Sequence, residues 1–130
     1  MWTASIKKMG RKNFVLETLL EKGEVTWKPH GNSMTPRIES GDQVIVKKIS
    51  PKLLKAGDIV YAKVKGNYYL HLLSAIDETH NRYQISNNHG HVNGWVNEDN
   101  VFGVCVQVKD KIILSQAEIS KRLTESSSDI

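Results

Sequence analysis

Short apolar segments typical of β-strands occupy most of the chain, and one stretch near its start has helical spacing instead. In residues 12–22, apolar side chains recur three and four positions apart and Gly23 follows, which predicts one amphipathic helix that docks on the main body. After Glu24, segments rich in valine, isoleucine and tyrosine alternate with glycine and asparagine turns. These segments predict strands near residues 25–29, 43–48, 58–64, 68–76, 82–86 and 101–108.

The spacing of these strands predicts a mainly β protein, with a small coiled antiparallel β-fold, a short N-terminal helix and a short C-terminal helix. Ser115 is followed three residues later by Glu118, a capping-box pattern that predicts a helix to about Leu123. A disordered tail is expected from Glu125. The predicted parts are an N-terminal arm with the helix packed on the domain (1–23), the β domain (24–110) and the C-terminal helix with its tail (111–130).

Composition is that of one ordinary globular domain. The chain has 130 residues, of which 39% are hydrophobic and 25% charged. The net charge of +4 comes from lysines that are spread among acidic residues, so a mixed solvated surface is favoured over a nucleic-acid site. Cys105 is the only cysteine, which excludes an intramolecular disulfide and predicts a buried core thiol.

Partners and cofactors are limited by what the sequence lacks. Because no apolar run approaches the roughly 18 to 20 residues that span a bilayer, we expect a soluble, cytoplasmic protein without a membrane partner. His80, His89 and His91 have no cysteine or acidic ligand at a recognised spacing, so no metal and no other cofactor is expected. Trp27 and Trp95 are interpreted as strand residues covering the core, and nucleic acid is not an expected partner.

One serine and one histidine are candidates for chemistry. Ser33 lies in a Gly-Asn-Ser-Met-Thr-Pro turn, where its hydroxyl can project, and His71 lies in an apolar strand. A serine hydroxyl attacks a carbonyl only when a base takes its proton, and imidazole titrates in the right range for that role. Each residue alone is more often structural, but together they are a candidate nucleophile and base.

Four segments of the chain also match, in order, the motifs of one known superfamily. Residues 31–46 resemble the serine-nucleophile box of LexA-like and type I signal peptidase-like proteins, and residues 56–61 resemble their second Gly-Asp strand start. Residues 69–73 occupy the place of the base-bearing strand, and residues 102–106 resemble the closing strand. The resemblance spans about residues 24–108 and implies this fold and a serine peptidase activity.

The base and its partner differ from the commonest pattern of that superfamily. LexA-like repressors and bacterial signal peptidases use lysine, whereas His71 resembles the histidine of eukaryotic and archaeal signal peptidases. A buried lysine needs a lowered pKa to accept a proton, while a neutral histidine needs little adjustment. Histidine-type relatives carry an aspartate after the base, and Ser86 stands at its place here. The candidates for orienting His71 are therefore Ser86, Asn87 and Asn88, with Asp77 and Asp99 as further alternatives.

The oxyanion of the reaction is expected to meet the backbone N–H of Ser33, with Asn32 assisting. Most bacterial signal peptidases have a small hydroxyl residue two positions before the nucleophile, where this chain has Gly31. The leading hypothesis is a soluble serine peptidase that cleaves an extended protein or peptide substrate lying beside an exposed strand. Cleavage in trans is favoured, because neither Ala-Gly nor Cys-Gly, the bonds cut in self-cleaving relatives, precedes Ser33.

Two alternatives to the peptidase remain open at this stage. The first is a catalytically silent LexA-like β domain that acts in protein interaction or dimerisation, and a homodimer is the partner that the resemblance implies. The second, weaker alternative is a small basic accessory protein of nucleic acid, whose binding would fall steeply as salt rises.

Overall fold

The computed structural model describes residues 14–128, which form one antiparallel sheet with a helix at either end of the range. The helices are α1 (Phe14–Lys22) and α2 (Gln116–Ser128). The strands are β1 (Glu24–Trp27), β2 (Val44–Lys48), β3 (Ile59–Val64), β4 (Asn67–Asp77), β5 (Arg82–Ser86), β6 (Val92–Asn97), β7 (Val101–Val108) and β8 (Lys111–Ile112). The predicted fold class is confirmed; residues 12 and 13 of the predicted first helix lie outside the described range.

The sheet runs in the order β1-β2-β7-β3-β4-β5-β6, with β8 paired to β7, and each of these pairings is antiparallel. The central strand β3 is buried on both faces. Val60 and Ala62 belong to one hydrophobic core, while Ile59 and Tyr61 belong to the other, which Leu19 of α1 also joins. A strand covered on both sides needs apolar residues at successive positions, which explains why this segment lacks polar alternation.

Strands β6 and β8 are absent from the sequence-based prediction. Strand β6 was missed because asparagine and glycine interrupt its apolar positions. Its Val96 faces the core, whereas Trp95 on the opposite face is 42% exposed, so the interpretation of Trp95 as a core-covering residue is wrong. Trp27 is half-buried and packs edge-on against Tyr61, with ring centroids 5.7 Å apart.

The C-terminal helix is longer than predicted. Its N-terminus is capped as expected, because Ser115 Oγ accepts a hydrogen bond of 3.1 Å from the Glu118 N–H. It continues past the predicted end at Leu123 to Ser128, so the prediction of a disordered tail from residue 125 is wrong for residues 125–128. The added stretch also makes tertiary contacts that local sequence does not reveal: Arg122 binds Asp58 just before it, and Glu125 within it lies 3.8 Å from Lys55. Residues 129 and 130 lie outside the described range.

Arg122, Asp58 and Glu118 form what we call the charged clamp. The Arg122 guanidinium donates to both carboxylate oxygens of Asp58, at 2.8 and 3.2 Å, and its Nε donates to Glu118 at 3.1 Å. A further donation reaches the Leu53 carbonyl at 3.2 Å. The Asp58 carbonyl in turn accepts from the N–H of Leu73, so the clamp ties α2 to strand β4.

Two expectations about the core and the membrane can be compared with residues 14–128. Cys105 is 1% exposed, and burial raises the pKa of its thiol to about 12, so it is the protonated core thiol that the sequence predicts. None of the helices in this range is long and apolar enough to cross a membrane.

Candidate active site

Ser33 lies on a turn that leaves β1 and is fixed by its apolar neighbours. Gly31 opens the turn with φ of +124°, a conformation that glycine adopts without strain, and its N–H donates to Ser40 Oγ. Met34 and Ile38 are buried in the core beneath the turn, and the Ile38 N–H donates to the Met34 carbonyl at 3.0 Å. The half-buried Ser33 side chain therefore projects from a well-anchored segment.

His71 lies on β4, where it pairs with Val60 of β3 and is only 6% exposed. Its Nε2 is 2.9 Å from Ser33 Oγ, within hydrogen-bond distance. The ring packs against Tyr69, with centroids 4.6 Å apart. Two side chains separated by 38 positions in the chain, which the sequence analysis paired as candidate nucleophile and base, are therefore brought into contact.

The second ring nitrogen of His71 contacts Asn93 of β6. Asn93 Oδ1 lies 2.7 Å from His71 Nδ1. Because an amide oxygen only accepts hydrogen bonds, Nδ1 carries the hydrogen in this arrangement and Nε2 presents its lone pair to the Ser33 hydroxyl. The three side chains form a neutral relay in which serine donates to histidine and histidine donates to asparagine.

A β-bulge aims Asn93 at the histidine. Ile85 pairs with Gly94 and Ser86 pairs with Val92, so Asn93 is an extra residue of β6 between two regular pairs. Bulges of this kind redirect a side chain at the edge of a sheet. Gly94 has φ of +151°, and an added Cβ there would lie 3.1 Å from Val64, so glycine is needed beside the bulge.

The residues predicted to orient His71 contact other groups, so that prediction is wrong. Ser86 is buried in the β5 ladder opposite Leu72. Asn87 Oδ1 accepts from the N–H groups of two residues in its own turn, and Asn88 donates to the Thr35 carbonyl in the turn that carries Ser33. Asp77 binds His80 at the tip of the β4–β5 hairpin. Asp99 lies in a short 3-10 segment, Glu98–Asn100, and makes no hydrogen bond to His71 within residues 14–128.

Sequence reasoning missed Asn93 because the strand that carries it was not predicted. The available signal was the Asn-Gly pair inside an otherwise apolar segment, since a lone glycine in a strand indicates a bulge. That pattern locates a bulge without saying which residue it faces. Its contact with His71 depends on the register of three strands.

Burial lowers the pKa of His71. Desolvation is the largest cause, because the charged imidazolium is disfavoured away from water. The hydrogen bond with Asn93 opposes this effect, and the nearby His91 adds to it. His71 is therefore neutral at pH 7 and available to accept a proton.

The turn that carries Ser33 is held by the β5–β6 loop, residues 87–91. The Asn88 N–H donates to the Ser33 carbonyl at 2.8 Å, and Asn88 Nδ2 donates to the Thr35 carbonyl at 2.9 Å. His89 Nε2 lies 3.0 Å from the Asn32 carbonyl. The Ser33 N–H, the predicted oxyanion donor, meets no acceptor within residues 14–128, and Asn32, its predicted assistant, is exposed.

A cleft of about 390 Å³ opens beside Ser33 and His71. Its walls are of mixed polarity: apolar and aromatic side chains line them together with His30 and Glu39, the former including Val15, Trp27, Met34, Ile38, Tyr61, Tyr68 and Leu70. Burial and the neighbouring Tyr68 raise the pKa of Tyr61 to about 12, so its phenol stays neutral in the cleft.

Three histidines were considered as metal ligands. His80 pairs with Asp77, and His89 binds the turn that carries Ser33. Residues 14–128 hold no cluster of three or more metal-ligating side chains.

Comparison with known proteins gives one family match. A family model described as Peptidase S24-like matches residues 9–106, which is more than half of the chain. A search of curated proteins finds no match. The matched range includes Ser33, His71 and Asn93.

Proposed function

The chain belongs to the Peptidase S24-like family, and from this premise we propose that it is a serine peptidase in which Ser33 is the nucleophile and His71 is the general base. The distance of 2.9 Å between Ser33 Oγ and His71 Nε2 carries the proposal. A base must lie within hydrogen-bond reach of the proton that it removes, and the buried, neutral His71 meets that requirement.

In the first step, Ser33 Oγ forms a bond to the carbonyl carbon of the scissile peptide while its proton passes to His71 Nε2. The electron pair of the carbonyl moves to oxygen, and the resulting oxyanion accepts a hydrogen bond from the Ser33 N–H. The imidazolium that forms is held by the Asn93 amide oxygen at the opposite nitrogen.

In the second step, the bond between the carbonyl carbon and the amide nitrogen breaks. His71 returns its proton to that nitrogen, so the leaving group departs as a neutral amine and an acyl ester remains on Ser33. A water molecule then attacks the ester with His71 again acting as base. Release of the carboxylic acid restores the Ser33 hydroxyl and the neutral imidazole.

The proposed substrate is an extended peptide that binds along the unpaired edge of β4. Strand β5 pairs with β4 only from Leu72 to Asp77, so residues 67–71 have no strand partner on that side within residues 14–128. A peptide backbone laid along this edge would gain main-chain hydrogen bonds, and its side chains would enter the adjoining cleft. Because His71 ends the unpaired stretch, such a peptide would pass beside the nucleophile. A peptide bound in this way would belong to another molecule, so we propose cleavage in trans.

The second candidate function is a catalytically silent interaction domain, in which the same edge binds or dimerises without hydrolysis. The observation that favours it is the neutral Asn93 behind His71, because an amide stabilises an imidazolium less than a carboxylate does. The two candidates differ in whether Ser33 can be acylated.

Intact-mass spectrometry after treatment with a fluorophosphonate tests the proposal directly. We expect one covalent adduct on Ser33 in the wild-type protein and none in Ser33→Ala. Ser74→Ala is the matched control, because Ser74 lies on the same strand as His71 but donates only to Gln84. A folded wild-type protein that shows neither an adduct nor cleavage of a peptide library between pH 6 and 9 would contradict the peptidase proposal and favour the interaction domain.

A further inference from the structure

We propose that His89 is a positioning residue that orients the Ser33 N–H as the oxyanion donor; this inference rests on the proposed function. His89 lies in the β5–β6 loop, and its ring reaches back over the nucleophile turn. Its Nε2 lies 3.0 Å from the Asn32 carbonyl and 3.1 Å from Thr35 Oγ1. Through the Asn32 carbonyl it therefore contacts the peptide unit that also contains the Ser33 N–H.

The direction of this hydrogen bond follows from its acceptor. A carbonyl oxygen only accepts, so His89 Nε2 carries the hydrogen and donates it to the Asn32 carbonyl. Thr35 supports the same oxygen, since its hydroxyl donates at 2.9 Å and its N–H at 3.3 Å. One carbonyl thus receives three donors, of which only His89 comes from outside the turn.

The planar peptide bond transmits this anchoring to the oxyanion site. In a trans peptide the carbonyl and the N–H point in opposite directions, so fixing the Asn32 oxygen also fixes the direction of the Ser33 N–H. The Asn88 N–H holds the Ser33 carbonyl at 2.8 Å and fixes the next peptide in the same way. Neither the Ser33 nor the Met34 N–H meets an acceptor in residues 14–128, so both remain available to a developing negative charge.

The loop is itself built to present the His89 ring. Asn87 Oδ1 accepts from the N–H of His89 at 2.8 Å and from the N–H of His91 at 3.0 Å. The Asn87 N–H donates to the His91 carbonyl at 2.9 Å, which closes the turn. Because His89 is exposed, water competes for its hydrogen bond, and the expected effect of removing it is modest.

The test compares His89→Ala and His89→Gln with His80→Ala, a control that removes an exposed histidine at the distant hairpin tip. Glutamine can supply an N–H donor at a reach similar to that of Nε2. We expect His89→Ala to slow fluorophosphonate acylation about 5- to 10-fold, through kcat rather than KM in peptide cleavage. His89→Gln should stay within about 2-fold of wild type, and His80→Ala should be unchanged. His89→Ser replaces the alanine variant if the latter does not fold.

A second readout, the ¹⁵N–¹H resonance of the Ser33 amide, does not depend on activity. The inference predicts that this resonance shifts in His89→Ala, returns towards the wild-type position in His89→Gln and stays unchanged in His80→Ala. An unmoved Ser33 amide in His89→Ala would overturn it, as would a wild-type acylation rate in that variant. If wild-type protein is never acylated, the proposed function fails and the amide resonance alone decides the positioning role.

Discussion

Two polar clusters are joined to β4, one through the Leu73 N–H and one through His71, and they are built in opposite ways. In the charged clamp, Arg122 meets two carboxylates at 2.8 to 3.2 Å and a carbonyl at 3.2 Å, so its ionic groups are bound to one another. In the relay of Ser33, His71 and Asn93, all three groups are neutral and one end opens into a cleft. The charged groups of the clamp bind one another, whereas the relay presents the Ser33 hydroxyl to the cleft.

The two clusters differ in whether their groups carry charge, and this difference determines how each cluster is held. A buried ion pair is fixed by complementary charges, and losing one member leaves the other uncompensated. A neutral imidazole between a hydroxyl and an amide is held only by directional hydrogen bonds. Burial lowers the pKa of this imidazole, so it is neutral at pH 7, as a general base must be. Single substitutions in the relay should therefore change reactivity, whereas substitutions in the clamp should change stability.

The largest expected effect is the loss of reactivity when the base is removed. His71→Ala should slow acylation of Ser33 by about 10³-fold, because within residues 14–128 the hydroxyl of Ser33 forms its hydrogen bond with His71 alone. The rate of fluorophosphonate adduct formation, followed by intact mass, measures this effect. His80→Ala should react at the wild-type rate. Equal rates for His71→Ala and wild type would remove His71 from the mechanism.

Breaking the clamp should act on stability and spare chemistry. Arg122→Ala leaves the Asp58 carboxylate, whose side chain is only 10% exposed, without its cation and should lower the free energy of unfolding by about 3 kcal/mol. Urea denaturation followed by far-UV circular dichroism measures the change. The double variant Asp58→Asn with Arg122→Leu should recover part of the loss, because no unpaired charge remains. A large fall in acylation rate while Arg122→Ala is still folded would contradict the separation of the two clusters.

Changing the orienting amide should sharpen the comparison. Asn93→Ala frees the His71 ring and should slow acylation about 10- to 100-fold. Asn93→Asp places a carboxylate at 2.7 Å from Nδ1 in the wild-type geometry, raises the pKa of His71 and stabilises the imidazolium. Its acylation rate at pH 8 should rise about 10-fold, and the acid limb of its pH profile should move to higher pH.

Asn97→Asp is the matched control for the aspartate variant, because Asn97 is an exposed residue on the same strand. It adds the same charge away from His71 and should leave the pH profile in place. If Asn97→Asp shifts the profile as much as Asn93→Asp does, the effect is one of general charge and not of the relay.

The smallest expected effect is on the pH dependence of folding. The pKa of His71 is lowered by burial, so the unfolded chain binds a proton more readily than the folded one. The contribution of His71 to stability is therefore complete above its unfolded pKa near 6.5 and is lost as the pH falls through its lower folded pKa. Between pH 7.5 and 5, wild type should lose more stability than His71→Gln, by less than about 1 kcal/mol. An equal loss in both proteins would contradict a buried neutral imidazole.

The sequence identified Ser33 and His71 as a candidate nucleophile and base, but it did not identify Asn93 as the third member of the relay. Ser33 and His71 could be paired because their flanking motifs have a recognisable order. The strands from residue 43 to residue 86 were placed well because valine and isoleucine mark them clearly. Asn93 could not be assigned, since its contact with His71 depends on a bulge and on the register of β4, β5 and β6. Arg122 was missed for the same reason, because its partner Asp58 is 64 positions away.

The most direct experiment asks whether the protonation of His71 sets the rate at which Ser33 is acylated. The ¹⁵N and ¹³C resonances of the His71 ring give its pKa and tautomer, and the rate of Ser33 acylation gives the kinetic midpoint. We expect a neutral ring protonated on Nδ1, with both midpoints equal and below 6.5. An acylation rate that stays constant while His71 titrates, or a ring protonated on Nε2 when neutral, would contradict it.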